Sequence, residues 1–240
     1  MSFNQHIIKQ ADSISHQFTV NDFDLSYWRS KEKTVELAGG RGTSQKIVID
    51  GQFYVLRQYL RGGLIARFLH DQYIWTGFNR TRPFVEQQAI QHALKRNLPV
   101  AEVVAFSVQK NGLFYRASII SRFIDNEGTL ASFLYDNKLA EKKWLELGKL
   151  IRSLHQANLY HADLNANNIL IDEAGKFYII DFDKAEIKTS QGDSAEKNVH
   201  RLLRSLIKIQ KFREEEKQAF YFDLKQWQFL LDGYKATDNH

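Results

Sequence analysis

Residues Tyr160 to Asp183 read YHADLNANNILIDEAGKFYIIDFD. A loop presents His161, Asp163, Asn165, Asn167 and Asn168. Two short apolar runs, 168–171 and 177–180, then flank the turn Asp172-Glu173-Ala174-Gly175. Each run is too short for a helix and is bounded by turn residues, which predicts a two-stranded ribbon delivering the chain to Asp181 and Asp183. An ordinary loop has little use for so many small polar side chains between apolar elements. Oxygen donors on both sides of a hairpin suit a hard cation, Mg2+ above all, which prefers carboxylate, carbonyl and water. They also allow one carboxylate to stay unligated and accept a proton.

Outward from this stretch the chain divides in character. Trp144, Leu147, Ile151 and Leu154 recur at helical spacing over 142–156, and segments 201–212 and 217–231 read as closing helices. Before Asp125 the pattern is β. A strand at 34–37 precedes the loop AGGRGTS (38–44), and Ile47 and Ile49 flank Val48 in a second strand. Asp50-Gly51 signals a tight hairpin, beyond which Phe53, Val55 and Tyr59 continue a third. Thr81 can cap a helix with Pro83 at its second position and Phe84, Ala89, Ile90, Ala93 and Leu94 on its apolar face. Segments 100–108 and 113–121 are two more strands, turning through Lys110-Asn111-Gly112. The first 33 residues are polar and irregular, with scattered aromatics, and read as an N-terminal extension packed on the domain. The expectation is a β-rich part, 34–125, with one inserted helix, a mostly helical part, 126–240, and a cleft where the character changes near 122–127.

Composition narrows the class. With 240 residues and 43% hydrophobic residues the chain can bury a core without cross-links. The absence of cysteine excludes disulfides, thiolate metal sites and thiol nucleophiles. No apolar run approaches a membrane span and the N-terminus lacks an apolar signal stretch, so a soluble intracellular protein is expected. The net charge of +5 is uneven: residues 1–125 hold 16 Lys+Arg against 10 Asp+Glu, and 126–240 hold 17 against 18. Arg57, Arg61, Arg67, Arg80 and Arg82 concentrate the excess, which points to an anionic partner, either nucleic acid, phosphate or membrane headgroups, or else to a merely solvated basic surface.

His161, Asp163, Leu164 and Asn168 match the H-R-D-L-x-x-x-x-N catalytic loop of the protein-kinase-like superfamily, and Asp181-Phe182 match the first two positions of its D-F-G motif. The chain therefore resembles that superfamily. The resemblance implies an α+β, protein-kinase-like bilobal fold, with a β-rich N-lobe and a short, mostly helical C-lobe. It implies ATP and Mg2+ as cofactors, Asp163 as catalytic base, and Asn168 and Asp181 as metal ligands. Gly39, Gly40 and Gly42 fall where the family's phosphate-covering loop lies, Arg57 falls where its phosphate-binding lysine is expected, and Glu86 suits the ion-pair partner. His161 reads as a structural support beneath the loop, and adenine is expected against 121–125. Four departures stand out: Arg57 for lysine, Ala162 for the arginine of H-R-D, Asn165 for the lysine two positions after the base, and Asp183 for the glycine of D-F-G. Asp183 either contacts metal or substrate, or caps the next segment. No proline follows Pro99, so the A-P-E motif is missing, and a small acceptor is favoured over a protein.

The stretch LRQYLRGGLIARFLHDQYIWTGFNRTRP (56–83), with its arginine-rich strand, RGG turn, YIWTG and RTR, is similar to the lipopolysaccharide-core kinases, and among them to those acting on 3-deoxy-D-manno-octulosonic acid (Kdo). That resemblance implies ATP-dependent phosphorylation of the Kdo 4-hydroxyl on a Kdo-lipid A precursor, in inner-core biosynthesis at the cytoplasmic face of the inner membrane. Arg61, Arg67, Arg80, Arg82 and Asp183 are then candidates for substrate or membrane contact, with no nucleic acid and no obligate protein partner. A kinase for a heptose or an aminoglycoside, and a catalytically silent kinase-like binding module, are the alternatives.

Overall fold

The computed structural model describes residues 5–36, 44–60, 71–188 and 194–236. Its strands are β1 (Gln5–Gln10), β2 (Thr34–Glu36), β3 (Ser44–Ile49), β4 (Gln52–Gln58), β5 (Tyr73–Ile74), β6 (Val103–Asn111), β7 (Phe114–Arg122), β8 (Gly128–Thr129), β9 (Leu159–Tyr160), β10 (Ile169–Ile171), β11 (Phe177–Ile179) and β12 (Glu186–Ile187). Its helices are α1 (Leu25–Ser30), α2 (Arg82–Leu94), α3 (Leu130–Asp136), α4 (Glu141–Gln156), α5 (Ser194–Glu215) and α6 (Leu224–Lys235). Two compact units result: 1–88 with 101–123, and 89–100 with 124–240. Helix α2 contributes to both.

The first unit is an antiparallel sheet in the order β1-β6-β7-β4-β3-β2, with the short β5 beside β7. Asp50 and Gly51, both at positive φ (49° and 77°), close the β3–β4 hairpin in the mirror-image turn whose twist matches the strands. In β3, Gln45, Ile47 and Ile49 turn inward while their neighbours face outward. Ile47, Ile49, Tyr54, Leu56, Val104, Ala105 and Ile120 form the core with Phe18, Phe23, Leu25 and Trp28. Residues 5–33 are therefore not irregular. Gln5–Gln10 forms an edge strand on β6, Asp24 caps α1 by accepting from the Ser26 N–H, and the Trp28 indole N–H donates to the Asp22 carbonyl. An edge strand with only Ile7 and Ile8 as apolar residues carries too little alternation to be read from sequence. At α2 the Thr81 carbonyl accepts the first helical bond, from the Val85 N–H, while the Thr81 hydroxyl donates back to Phe78 rather than forward.

The second unit is built on α4, which buries Trp144, Leu147, Ile151 and Leu154. It meets α6 at a crossing so close that a Cβ on Gly148 would lie 2.0 Å from the Leu230 carbonyl oxygen, and one on Gly233 2.1 Å from that of Leu145. Strands β10 and β11 form the expected ribbon, extended on its other side by β8. Helix α5 starts at Ser194, earlier than its apolar spacing from 201 suggests, because Asn198 lies on the buried face and interrupts the hydrophobic pattern. Helix α6 starts later than expected, at Leu224. There Asp223 and Gln226 form a reciprocal capping box, and Lys217 at φ 55° has already turned the chain out of α5. Among the described residues no helix is long and apolar enough to cross a membrane.

Candidate active site

The loop after β9 is held by its own polar side chains. The buried His161 ring receives the Asp163 N–H on Nδ1 (3.2 Å) and bonds the Ile180 carbonyl through Nε2 (2.9 Å), which makes Nε2 the protonated nitrogen. Its ring stands edge-on to fully buried Phe182, with centroids 4.9 Å apart. The Asn165 amide donates to the Asp163 carbonyl (3.0 Å), and its oxygen accepts the Asn167 N–H (2.9 Å). Asn168 donates to the same Asp163 carbonyl (2.9 Å). His161 and both asparagines thus brace the backbone on either side of Asp163, whose carboxylate is half exposed.

The ribbon then brings the second acidic group alongside. Ile169 pairs with Ile179, and the Ile180 N–H donates to the Asn168 carbonyl (3.0 Å), so Asn168 and Asp181 lie at adjoining ends of one hairpin. Asp181 is exposed and adopts φ 62°, a left-handed conformation that aspartate tolerates better than most residues. Asp183 is half-buried one residue beyond Phe182. Asp163, Asn168 and Asp181 therefore belong to one loop-and-hairpin assembly. Its donors are all oxygen, and among the described residues no group of three or more His, Cys, Asp and Glu side chains is placed to hold a metal ion by itself. Such a set fits a hard cation that completes its coordination with water and phosphate oxygens, and fits poorly a metal held by an all-protein cage.

In the first unit, one Arg57 guanidinium nitrogen lies 2.6 Å from both carboxylate oxygens of Glu86. The Tyr59 hydroxyl donates to the same carboxylate. Burial, and then the charge of Glu86, pushes the Tyr59 phenol well above its ordinary range, so it remains a donor. Arg82 donates to the Tyr73 hydroxyl (2.6 Å) and stacks over Tyr73, and Tyr115 accepts the Arg82 N–H. Arg80 is exposed. Gly39, Gly40, Gly42, Arg61 and Arg67 lie outside the described residues.

Sequence reasoning missed what α5 supplies. The Asn198 side-chain oxygen accepts the His161 N–H (2.9 Å), the Ser205 hydroxyl accepts the Ala166 N–H (3.0 Å), and Arg201 reaches to 3.9 Å from the Asp163 carboxylate. Asn198 also bonds His155 at the end of α4, while the Tyr234 hydroxyl donates to the other ring nitrogen. Burial lowers the His155 pKa to about 4, so this ring is neutral. The signal for these contacts is one polar residue on an apolar helix face, which becomes legible only once the helix is placed.

A braced H-x-D loop, an oxygen-donor hairpin and an arginine–glutamate pair on a mixed α/β scaffold are the parts of a kinase-like phosphotransferase with a hydroxyl acceptor. The chain belongs to the lipopolysaccharide kinase (Kdo/WaaP) family, whose model matches residues 25–234. It is 40% identical over 217 residues to the 3-deoxy-D-manno-octulosonic acid kinase of Stenotrophomonas maltophilia, covering 89% of this chain and 82% of that protein. Enzymes with the same name from Photobacterium profundum (34% identity; 90% and 89% covered) and Vibrio parahaemolyticus (38%; 78% and 78%) are similar along most of their length.

Proposed function

We propose that this protein transfers the γ-phosphoryl group of ATP to the 4-hydroxyl of a Kdo sugar on a Kdo-lipid A precursor, working at the cytoplasmic face of the inner membrane. The observation that carries the reading is the bracing of Asp163 within the same loop-and-hairpin assembly that bears Asn168 and Asp181. The relatives' shared name supports Kdo as the acceptor sugar.

In this reading the Asp163 carboxylate orients the acceptor hydroxyl and takes its proton as the oxygen attacks, a role worth roughly 10²–10⁴ in rate. The backbone bonds from Asn165 and Asn168 hold that carboxylate's position without occupying it. Asn168 and Asp181 offer oxygens to a divalent ion, Mg2+ by preference. MgATP, when bound, supplies the phosphoryl group with its charge partly neutralised. Arg57, held by Glu86 and indirectly by Tyr59, is assigned to the nucleotide's phosphates, where its planar fork replaces the point charge of a lysine. Gly39, Gly40 and Gly42 are assigned to covering those phosphates.

Mass spectrometry of a Kdo-lipid A precursor incubated with the protein, Mg2+ and ATP tests the reading. One added phosphate on the Kdo, at position 4 by NMR, is expected. Transfer only to a heptose or an aminoglycoside would replace the substrate, and absence of any ATP consumption would leave a silent module.

A further inference from the structure

Helix α5 carries a line of cations that average charge conceals. From 197 to 213 its charged residues are Lys197, Arg201, Arg204, Lys208, Lys211 and Arg213, and the helix's carboxylates, Glu196, Glu214 and Glu215, stand at its two ends. At 3.6 residues per turn, Lys197, Arg201, Arg204, Lys208 and Lys211 share an arc of about 80° and run about 21 Å along the axis. All five are exposed, on the side away from buried Val199, Leu202 and Leu206. Arg204, Lys208 and Lys211 have no acidic partner among the described residues. Ile207 (44% exposed) and Phe212 (60%) flank the line on either side.

An exposed basic stripe bordered by bare apolar side chains is the pattern of a surface that lies on an anionic bilayer: the cations meet headgroups and the apolar flanks enter the interface. The stripe also leads into the candidate site, because Arg201 belongs both to it and to the surroundings of Asp163. Of the described arginines in the 56–83 stretch, Arg80 alone is exposed. Arg57 is held by Glu86, and Arg82 by Tyr73.

We propose that the basic face of α5 docks the protein on an anionic membrane and presents Asp163 to an acceptor carried in that membrane, with Arg201 offsetting the repulsion between the Asp163 carboxylate and an anionic sugar. The proposal rests on the reading above in taking the acceptor to be a membrane glycolipid. Its test does not depend on that acceptor.

The experiment is co-sedimentation with vesicles of phosphatidylcholine alone or mixed with phosphatidylglycerol. The wild-type chain is compared with the triple variant Arg204→Gln/Lys208→Gln/Lys211→Gln and with Asp163→Ala. Each basic residue beside an anionic leaflet contributes about a five-fold factor, so the triple variant binds mixed vesicles on the order of 100-fold more weakly. Wild-type binding is confined to mixed vesicles and falls with added salt. Asp163→Ala sediments like wild type, which separates docking from catalysis. Failure to phosphorylate Kdo with intact, stripe-dependent vesicle binding overturns the substrate and leaves the surface standing. Equal binding to both vesicle types overturns the proposal. So does unchanged sedimentation of a triple variant whose circular dichroism matches wild type, and so does retention on nucleic acid without vesicle binding.

Discussion

Replacing Glu86 by glutamine keeps the side chain's shape and removes its charge, leaving the Arg57 guanidinium beside a neutral amide. The Glu86 side chain is 4% exposed and that of Arg57 20%, with the nitrogen 2.6 Å from an oxygen. An ion pair in open solvent contributes about 0–1 kcal/mol, and stripping one partner from a buried pair costs about 3–5 kcal/mol. Arg57 keeps some access to water, which sets the cost at the lower edge, about 3 kcal/mol. For a chain of this size 1 kcal/mol corresponds to roughly 2–4 °C, so the melting temperature should fall by about 6–12 °C. Without its anchor Arg57 loses its fixed position, and the KM for ATP should rise by about ten-fold or more, because a displaced positioning group is costly even far from the chemistry. Differential scanning calorimetry together with ATP-dependent kinetics measures both effects. A Glu86→Gln protein melting within 2 °C or so of wild type, at unchanged KM for ATP, would refute the reasoning, since the buried pair would then hold neither the sheet unit nor the nucleotide.

Asp163→Ala should lower kcat by roughly 10²–10⁴ with little change in melting temperature or ATP affinity, as the half-exposed carboxylate is not part of any buried network; full turnover would remove it as the base. Asp181→Ala should instead weaken the Mg2+ dependence of nucleotide binding, read by calorimetric titration of ATP at several Mg2+ concentrations, and an unaltered dependence counts against the metal role. His155 titrates near pH 4 when folded and near 6.5 when unfolded, so its contribution is complete above pH 6.5 and disappears as the pH falls through 4. At about 1.4 kcal/mol per unit that is about 3 kcal/mol, and urea denaturation at pH 7, 5 and 4 should show a steeper acid loss for wild type than for His155→Gln. Gly148→Ala should cost about 2–3 kcal/mol, measurable by the same denaturation, because its Cβ meets backbone atoms of α6 that no rotamer can move aside.

The readable parts of the sequence were those with local cause. The β3–β4 turn follows from Asp50-Gly51, the ribbon at 169–179 from two apolar runs around a turn, and α4 from the spacing of its own apolar residues. The placement of the candidate site residues is legible where it is compact, since His161, Asp163, Asn168 and Asp181 fall within one short segment. What could not be read depends on partners far along the chain. Strand β1 is defined by its pairing with β6, a hundred residues away, and no alternation within Gln5–Gln10 announces it. Asn198 reads as a defect in a helix pattern until its contacts with His161 and His155 are seen. The charge of α5 disappears in a half-chain balance of 17 against 18, because Glu196, Glu214 and Glu215 at the ends of the helix and carboxylates on other elements offset it.

The departure at Asn165 shows how such distant causes work together. A lysine at this position would place a cation next to the Asp163 carboxylate by local sequence. Here the Asn165 side chain is committed to the backbone on both sides, donating to the Asp163 carbonyl and accepting from the Asn167 N–H, so it sets the shape of the loop and carries no charge. The cation comes instead from Arg201, on a helix that also grips the loop through Asn198 and Ser205. A pair as exposed as Arg201 and Asp163 adds at most about 1 kcal/mol to stability, so the fold has little need of it. In the proposed reading its consequence is electrostatic: a carboxylate that receives an acidic sugar would repel it, and a nearby guanidinium reduces that repulsion while leaving the carboxylate exposed. Because α5 contacts the loop and carries the cation, any shift of that helix moves the Asp163 carboxylate and its counter-charge together. Sequence alone, seeing only that a lysine is missing, has no means of finding the arginine that stands beside the same carboxylate.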